Sequence, residues 1–349
     1  MLPTGIHFES YVAETRILKT RRSQVWMAAL VVGLLVAPYF AGAYLTGIAS
    51  EMFITLMAVY GLYVTVGMAG QINIAQSAFV GVGAFAAAKL SGYGMPVFLV
   101  IPIAAFCTGL VSILFALPAA RVKGLYLALT TLAAQAMFPI VIYALPAGWL
   151  GGLAGMPVEP LSLFGYDLGS PARLYYFTLA IVAVLTVSVF RLHHSRFGRA
   201  MIAVRDNDVA AEVMGIPVLK VKVMSFFVGS LFAGVAGACM AYVLQFVTAS
   251  SFTLFASVWY LGMLIVGGLH SPLGAILGVV FITVVQESLH KVANTLMQAG
   301  AGGGGTLFAL TSIILGGCIL LALIFEPRGL AHRWAVLRNA FQIWPFPRN

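Results

Sequence analysis

Residues 223–247, VMSFFVGSLFAGVAGACMAYVLQFV, run for 25 residues without one charged side chain. A bilayer core of ~30 Å takes roughly 20 helical residues to cross, so this stretch is long enough to span. Its glycines, Gly229, Gly234 and Gly237, are residues that let membrane helices approach closely. The rest of the chain has the same character. Of its 349 residues 61% are apolar and 8% charged, with a mean hydropathy of +1.02. A soluble domain carries about 25% charged residues, so this chain lacks the polar surface to cover itself in water. The composition predicts an all-α polytopic integral membrane protein. It excludes a soluble enzyme, a disulfide-built secreted domain and a disordered chain.

Cutting the apolar runs at charges, prolines and glycine clusters gives ten segments, near 25–45, 49–68, 71–90, 96–118, 124–146, 174–190, 223–247, 255–270, 273–290 and 306–325. The first run has spanning length, so it is expected to stay as a helix and not to be cleaved as a signal. With the N-terminus inside and the spans alternating, 16 of the 19 lysines and arginines fall inside; only Lys89, Arg173 and Lys291 fall outside. The positive-inside rule favours that arrangement strongly. Both termini are then cytoplasmic. The layout is a tail over 1–24, a membrane domain over 25–327 and a second tail over 328–349. Two long loops interrupt it, 147–173 outside and 191–222 inside, and the glycine-rich 299–306 is expected to be a flexible linker.

The net charge of +9 is accounted for by the inside loops, so no nucleic-acid partner is expected; membrane lipid is the surrounding partner. Cys107, Cys239 and Cys318 lie far apart in apolar runs, and the six histidines form no box, so neither a disulfide framework nor a metal site is suggested. No G-x-x-x-x-G-K-[ST] occurs, so the chain has no P-loop for ATP. Catalytic side chains do not cluster in the sequence, and an enzyme is not expected.

The inside loop is the most charged stretch of the chain. Within it, RDNDVAAEVMGI at 205–216 predicts a short helix. Asp206, Asn207 or Asp208 can cap its start, and Gly215 followed by Pro217 stops it. Val209, Val213 and Ile216 recur at helical spacing and give it an apolar face. Such a helix either lies in the lipid interface or is a docking knob for a cytoplasmic partner, with Arg196, Arg199 and Arg205 around it.

A second signal is GQINIAQSAF at 70–79. Gln71, Asn73, Gln76 and Ser77 are polar groups among glycines inside an apolar run. An unsatisfied polar group in hydrocarbon costs several kcal/mol. These four must bond to other helices or face a water-filled path, as interhelical glue or as the lining of a substrate pathway. GGLHSPLGAILG at 267–278 predicts a tight inside turn with His270 and Ser271 facing solvent. Glu51 is expected at the outer end of the second span, and Glu287 in an i,i+4 pair with Lys291. A chain of intramembrane carboxylates is lacking, which counts against a proton-coupled pump. The glycine-rich 148–157 is either a cap over the outer mouth or a docking surface.

SRFGRAMIAVRDNDVAAEVMGI, running on into KVMSFFVGSLFAGVAGACMAYV, resembles the LivM-type permease subunits of branched-chain amino acid ATP-binding-cassette importers. VGMAGQINIAQSAFVGVGAFAAAKL at 66–90, RVKGLYLALTTLAAQAM at 121–137, IVGGLHSPLGAILG at 265–278 and IFEPRGLAHRW at 324–334 agree in the same order. The resemblance covers roughly 50–334. A Gly is common in that family where His270 stands.

The resemblance implies a pathway formed by two related permease chains, with two cytoplasmic ATPases that use ATP and Mg. It implies a periplasmic or surface binding protein that delivers the amino acid, and a place in the bacterial inner membrane. It also implies a coupling helix that docks into the ATPase: here Asp206, Asn207, Asp208, Val209, Ala210, Ala211, Glu212, Val213, Met214 and Gly215. The fold it implies pairs spans two to five with seven to ten as inverted repeats. Related permeases carry urea, short amides or other amino acids, and a self-sufficient secondary transporter is the alternative from another class.

Overall fold

The computed structural model describes residues 21–298 and 312–343, apart from 123, 161, 164, 165, 168, 318, 322, 323, 325, 327 and 328. The glycine linker over 299–306, most of both tails, Lys123 and Cys318 lie outside the described residues. The helices are α1 (Arg21–Phe40), α2 (Ala43–Leu62), α3 (Gln76–Ser91), α4 (Val97–Ala119), α5 (Leu125–Ala144) and α6 (Pro171–His194). After them come α7 (Arg196–Asp206), α8 (Asp208–Val213), α9 (Val218–Leu244), α10 (Leu254–Gly267), α11 (Pro272–Gln298) and α12 (Leu330–Ile343). Among the described residues seven helices are long and apolar enough to cross a membrane: Ala43–Met68, Val97–Ala119, Leu125–Ala144, Pro171–His194, Val218–Leu244, Ala249–Gly267 and Pro272–Thr295. The fold is an all-α polytopic membrane bundle.

Two of the remaining three expected segments hold shorter apolar helices, Val25–Phe40 and Ser312–Leu321. The segment expected over 71–90 is helical only from Gln76, because the backbone before it is held open by side chains, as described below.

α9 is the centre of the bundle and packs on α2, α3 and α4. Its glycines explain how. A Cβ on Gly237 would stand 1.9 Å from the Val80 carbonyl oxygen, and one on Gly83 would stand 2.5 Å from that of Gly234. On the α2 side, a Cβ on Gly61 would stand 2.3 Å from the Gly229 carbonyl. Backbone touches backbone at these crossings, which only glycine permits.

Contacts at the two ends of the bundle join segments that the charge pattern assigns to one face. On the outside, Met156 and Pro157 of β1 (Met156–Pro157) pair antiparallel with Val247 and Phe246 of β4 (Phe246–Val247). A second small pair, β2 (Ser162–Leu163) with β3 (Tyr166–Asp167), completes the outer loop, and the Lys89 ammonium donates to the Gly148 carbonyl at 3.3 Å. The glycine-rich 148–157 is thus folded against the end of α9. On the inside, the Leu269 carbonyl lies against Gly67.

The two acids sit differently from expectation. The Thr-Gly-Ile-Ala-Ser run before Glu51 does not end a helix, because Thr46 and Ser50 donate back to the carbonyls of Ala43 and Thr46 at 2.9 Å each. Glu51 therefore lies more than two turns inside α2. Glu287 accepts a hydrogen bond from the Tyr44 hydroxyl instead of pairing with Lys291, whose ammonium stands 5.9 Å from the Tyr44 ring centre. Tyr44, brought in from α2, stands between the two.

Gly237→Val forces a side chain into the Val80 carbonyl and is expected to destabilise the bundle by about 3 kcal/mol, the upper end of overpacking costs. Gly33→Ala, where a Cβ meets nothing within 4 Å, is expected to cost nothing and to gain up to about 1 kcal/mol from helix propensity. Thermal unfolding of the two variants in detergent, followed by loss of monodisperse protein, checks both.

Candidate functional site

The crossing that begins with α2 does not continue into α3. Residues Tyr63–Met68 wind as a π-helix, and Gly70 takes a left-handed φ of 67°. The Gln71 amide donates to the Thr65 carbonyl at 3.0 Å. The chain then runs without helix to Ala75. Interrupted backbone inside a membrane needs partners, and side chains supply them. Asn73 Oδ1 accepts from the Ala75 amide at 2.9 Å, and Asn73 Nδ2 donates to Gln76 Oε1 at 3.1 Å. Gln76 Nε2 donates to the Ala58 carbonyl at 2.7 Å, and Gln71 Nε2 to Ser225 Oγ at 3.1 Å.

A second set of partners comes from elsewhere in the chain. The Ile74 amide donates to Thr131 Oγ1 at 3.1 Å. The Ser77 amide donates to Ser257 Oγ, and the Ala78 amide to Gln135 Oε1, each at 2.9 Å. Ser257 Oγ in turn donates to Gln135 Oε1, and Gln135 Nε2 donates to the Phe252 carbonyl, again at 2.9 Å. Gln135 thus ties the first turn of α3 to the segment leading into α10. That segment has its own break: Gln245 adopts φ 57°, and helix resumes only at Leu254 after a short 3-10 turn. The starts of two short helices meet at one amide side chain.

Gln71, Asn73, Gln76 and Ser77 were expected either to glue helices or to line a pathway. All are 2% exposed or less. The side chains of Gln71, Asn73 and Gln76 hold the interruption in place through hydrogen bonds, Ser77 contributes its backbone amide, and Gln71 also walls the cavity described below. Thr131, Gln135 and Ser257 were not anticipated. The available signal was the spacing of Thr131 and Gln135, four residues apart and so on one face of an apolar helix.

The inside loop contains two helices where one was expected. Ser195 Oγ accepts from the Gly198 amide at 3.0 Å and caps α7, which buries Gly198, Met201 and Val204. Asn207, in extended backbone, ends α7 and caps α8 by accepting from the Ala210 amide at 3.0 Å. Of the three possible caps it is the one used. Gly215, at φ 84°, closes α8. The helix over Asp206–Gly215 is therefore Asp208–Val213 with a capping residue and a turn. Ala211 is its buried contact, whereas Val209, Val213 and Met214 are 62%, 82% and 83% exposed. The apolar side of α8 points away from the bundle.

Arg199, exposed, and Arg205, partly buried, each bond back to the protein. Arg199 Nη1 donates to the His194 carbonyl at 3.0 Å. Arg205 Nη1 donates to the Gly67 carbonyl at 2.7 Å, while its Nε and Nη2 meet Asp206 Oδ1 at 3.0 and 2.9 Å. Its stem lies on Gly70, where a Cβ would come within 2.6 Å of Arg205 Cγ. The Tyr63 hydroxyl and His193 Nδ1 add a bond of 2.8 Å between the π-helix and the end of α6. The loop is bolted to the broken crossing.

The 267–271 turn closes the same region. His270 is exposed as expected, and the Ser271 hydroxyl accepts from the Leu273 amide at 3.3 Å. The turn is nonetheless packed: Gly268 and Gly329 approach so closely that a Cβ on Gly329 would stand 2.4 Å from Gly268 Cα. Between the break, the α4–α5 turn and the loop lies a cavity of about 350 Å³, walled by Gln71, Val122, Leu127, Arg205, Asp208 and Lys222 among others. Among the described residues no group of three or more His, Cys, Asp or Glu side chains could hold a metal ion.

Residues 43–323 match the family described as the permease component of the branched-chain amino acid transport system. The chain is similar to the high-affinity branched-chain amino acid transport system permease protein LivM of Escherichia coli, 26% identical over 337 residues, which covers 89% of this chain and 75% of that one. The LivM protein of Salmonella typhimurium is 25% identical with the same coverage. A probable LivH permease of Methanocaldococcus jannaschii is 30% identical over 171 residues, covering 48% of this chain and 50% of its own. No solved structure matches the chain.

Gln135→Leu keeps the side chain's bulk but strands the Ala78 amide and the Phe252 carbonyl. Leaving buried polar groups unmatched costs about 1–3 kcal/mol each. Unfolding in graded denaturing detergent is expected to show a loss of that order, and Thr130→Val, whose partly exposed hydroxyl bonds only to the Tyr126 carbonyl of its own helix, is expected to show none.

Proposed function

The chain belongs to the branched-chain amino acid transport permease family, and on that footing we propose that it is a permease subunit of an ATP-driven importer of leucine, isoleucine and valine. It forms the translocation pathway together with a second, homologous permease chain in the bacterial inner membrane. Two cytoplasmic ATPases bind and hydrolyse ATP with Mg, a binding protein outside delivers the amino acid, and this chain carries out no catalysis itself.

The observation that supports this reading best is the construction of α8. A six-residue helix that turns Val209, Val213 and Met214 outward, on a loop bonded to the membrane core, suits a knob pressed into a partner's groove. Residues Asp206–Gly215 form that knob and its cap. A push on α8 passes through Asn207 to α7, and from Arg205 to the Gly67 carbonyl and the π-helix. Ser195 and Arg199 keep the base of α7 against the end of α6. Gln71, Asn73, Gln76 and Ser77 serve transport by keeping the broken crossing in a defined shape. The two breaks, after α2 and after α9, stand at corresponding places in two inverted halves, and they are where the halves hinge.

Gentle purification from native membranes tests the assembly: two P-loop ATPases and a second permease are expected by mass spectrometry, and isolation of this chain alone would refute it. In proteoliposomes with the binding protein, Val213→Asp is expected to lower leucine uptake at least tenfold and to weaken retention of the ATPases. Arg205→Ala is expected to retain the ATPases and their basal hydrolysis while losing uptake. Equal uptake by both variants and the parent would refute the coupling route.

A further inference from the structure

The last described helix, α12, carries an apolar row that the protein covers only at its start. Leu330, Trp334 and Leu337 recur at i, i+4 and i+7 and so share one face. Leu330 packs on the core. Trp334 and Leu337, further along the same row, are 58% and 53% exposed. By spacing alone, Phe341 continues the row. Arg333 flanks the row on one side and, again by spacing, Arg338 on the other. Arg333 is exposed, and its Nε donates to the Glu326 carboxylate.

α12 starts where two crossings end. Gly329, at φ 78°, leads into it, and a Cβ there would stand 2.4 Å from Gly268 Cα, in the turn between α10 and α11. Both of those crossings also pack against α12. The apolar row thus sets out from the level at which the bundle leaves the bilayer. At that boundary a tryptophan finds an apolar layer beside a wet one, and an arginine can bury its stem while its head stays among polar groups. With 14 residues, α12 is roughly 21 Å long, too short to cross but long enough to lie in the surface. The charge fits an anionic one. Residues 327–349 hold four arginines and no acid, and Glu326 offsets one of the four.

We infer that α12 is a foot that lies in the cytoplasmic membrane surface and binds anionic phospholipid. Trp334 and Leu337 enter the acyl boundary, and the arginines of this segment meet the phosphate groups. Held there, α12 keeps Gly329 on Gly268. The same turn carries the Leu269 carbonyl that lies against Gly67, so the lipid surface steadies the 267–271 turn beside the broken crossing. Lipid binding by α12 needs neither substrate nor ATPase and stands apart from the importer reading.

An environment-sensitive NBD label on Leu337→Cys, in the full chain reconstituted into nanodiscs, reads where the row lies. Parent protein labelled in parallel gives the background from the native cysteines. Blue-shifted emission is expected, quenched by brominated phospholipid, with a larger docked share in phosphatidylglycerol than in phosphatidylcholine. Arg338→Gln leaves the apolar row intact. It is expected to lower the docked-to-undocked ratio about fivefold in phosphatidylglycerol, the worth of one cation at an anionic surface, and to change it little in phosphatidylcholine. Hydrogen exchange over 267–271 is expected to be slower in phosphatidylglycerol for the parent, and equal in the two lipids for Trp334→Ser, which alters only an exposed side chain. Emission typical of water would overturn lipid binding. A blue shift without quenching would do the same, because it would put this chain or a second copy over the row, as would a blue shift that needs partner ATPases. Equal docking in both lipids would overturn the choice of anionic lipid. Exchange over 267–271 that ignores the lipid would overturn the steadying role.

Discussion

The structure depends on the rule that backbone amides and carbonyls inside a membrane must find partners within the protein. An uninterrupted helix meets it automatically. This chain breaks two of its crossings, after α2 and after α9, and the freed groups are taken up by side chains. Gln135 does the most, because its one amide receives the Ala78 amide and the Ser257 hydroxyl and donates to the Phe252 carbonyl. Three segments distant in sequence are positioned by that group. The glycine crossings of α9 supply the complementary constraint, since they fix how near α2 and α3 stand to it. The polar bonds and the glycine contacts together leave little freedom in the centre of the bundle.

On the proposed importer reading, movement enters from the periphery, through the inside loop. α7 and α8 are short, separately capped helices hinged at Asn207. Arg205 spans from the loop to the Gly67 carbonyl, next to the π-helix and to the left-handed Gly70. A π-helix is a locally strained winding that appears at functional sites. Arg205's contact between loop and membrane core is thus made where the core is least regular; on the proposed reading, that is where a displacement of α8 reaches the crossing.

The sequence showed the polytopic helical character, seven of the expected spans and a short helix in the inside loop, because apolar length and helix caps are local signals. Asn207 could be shortlisted as a cap from its neighbours alone. The role of GQINIAQSAF was half legible: buried polar groups had to have partners, but Ser225, Ser257 and Gln135 lie from dozens to nearly two hundred residues away, and no local pattern names them. The contacts of Arg205 were illegible for a related reason. An arginine in a basic, solvent-facing loop has the same sequence signature whether it projects into water or folds back onto a glycine, and only the absent side chain at Gly70 makes the second possible. Glu51 was misplaced because Thr46 and Ser50 satisfy their own hydroxyls within the helix, so a run that reads as polar did not interrupt it.

The meeting of α3 and α10 has an electrical consequence. The start of α3 carries the equivalent of about half a positive charge, and its Ser77 and Ala78 amides donate to the neutral oxygens of Ser257 and Gln135 and not to a carboxylate. A partial positive charge without an anion beside it disfavours a cation at that break, as the half-helix ends of water-conducting pores do.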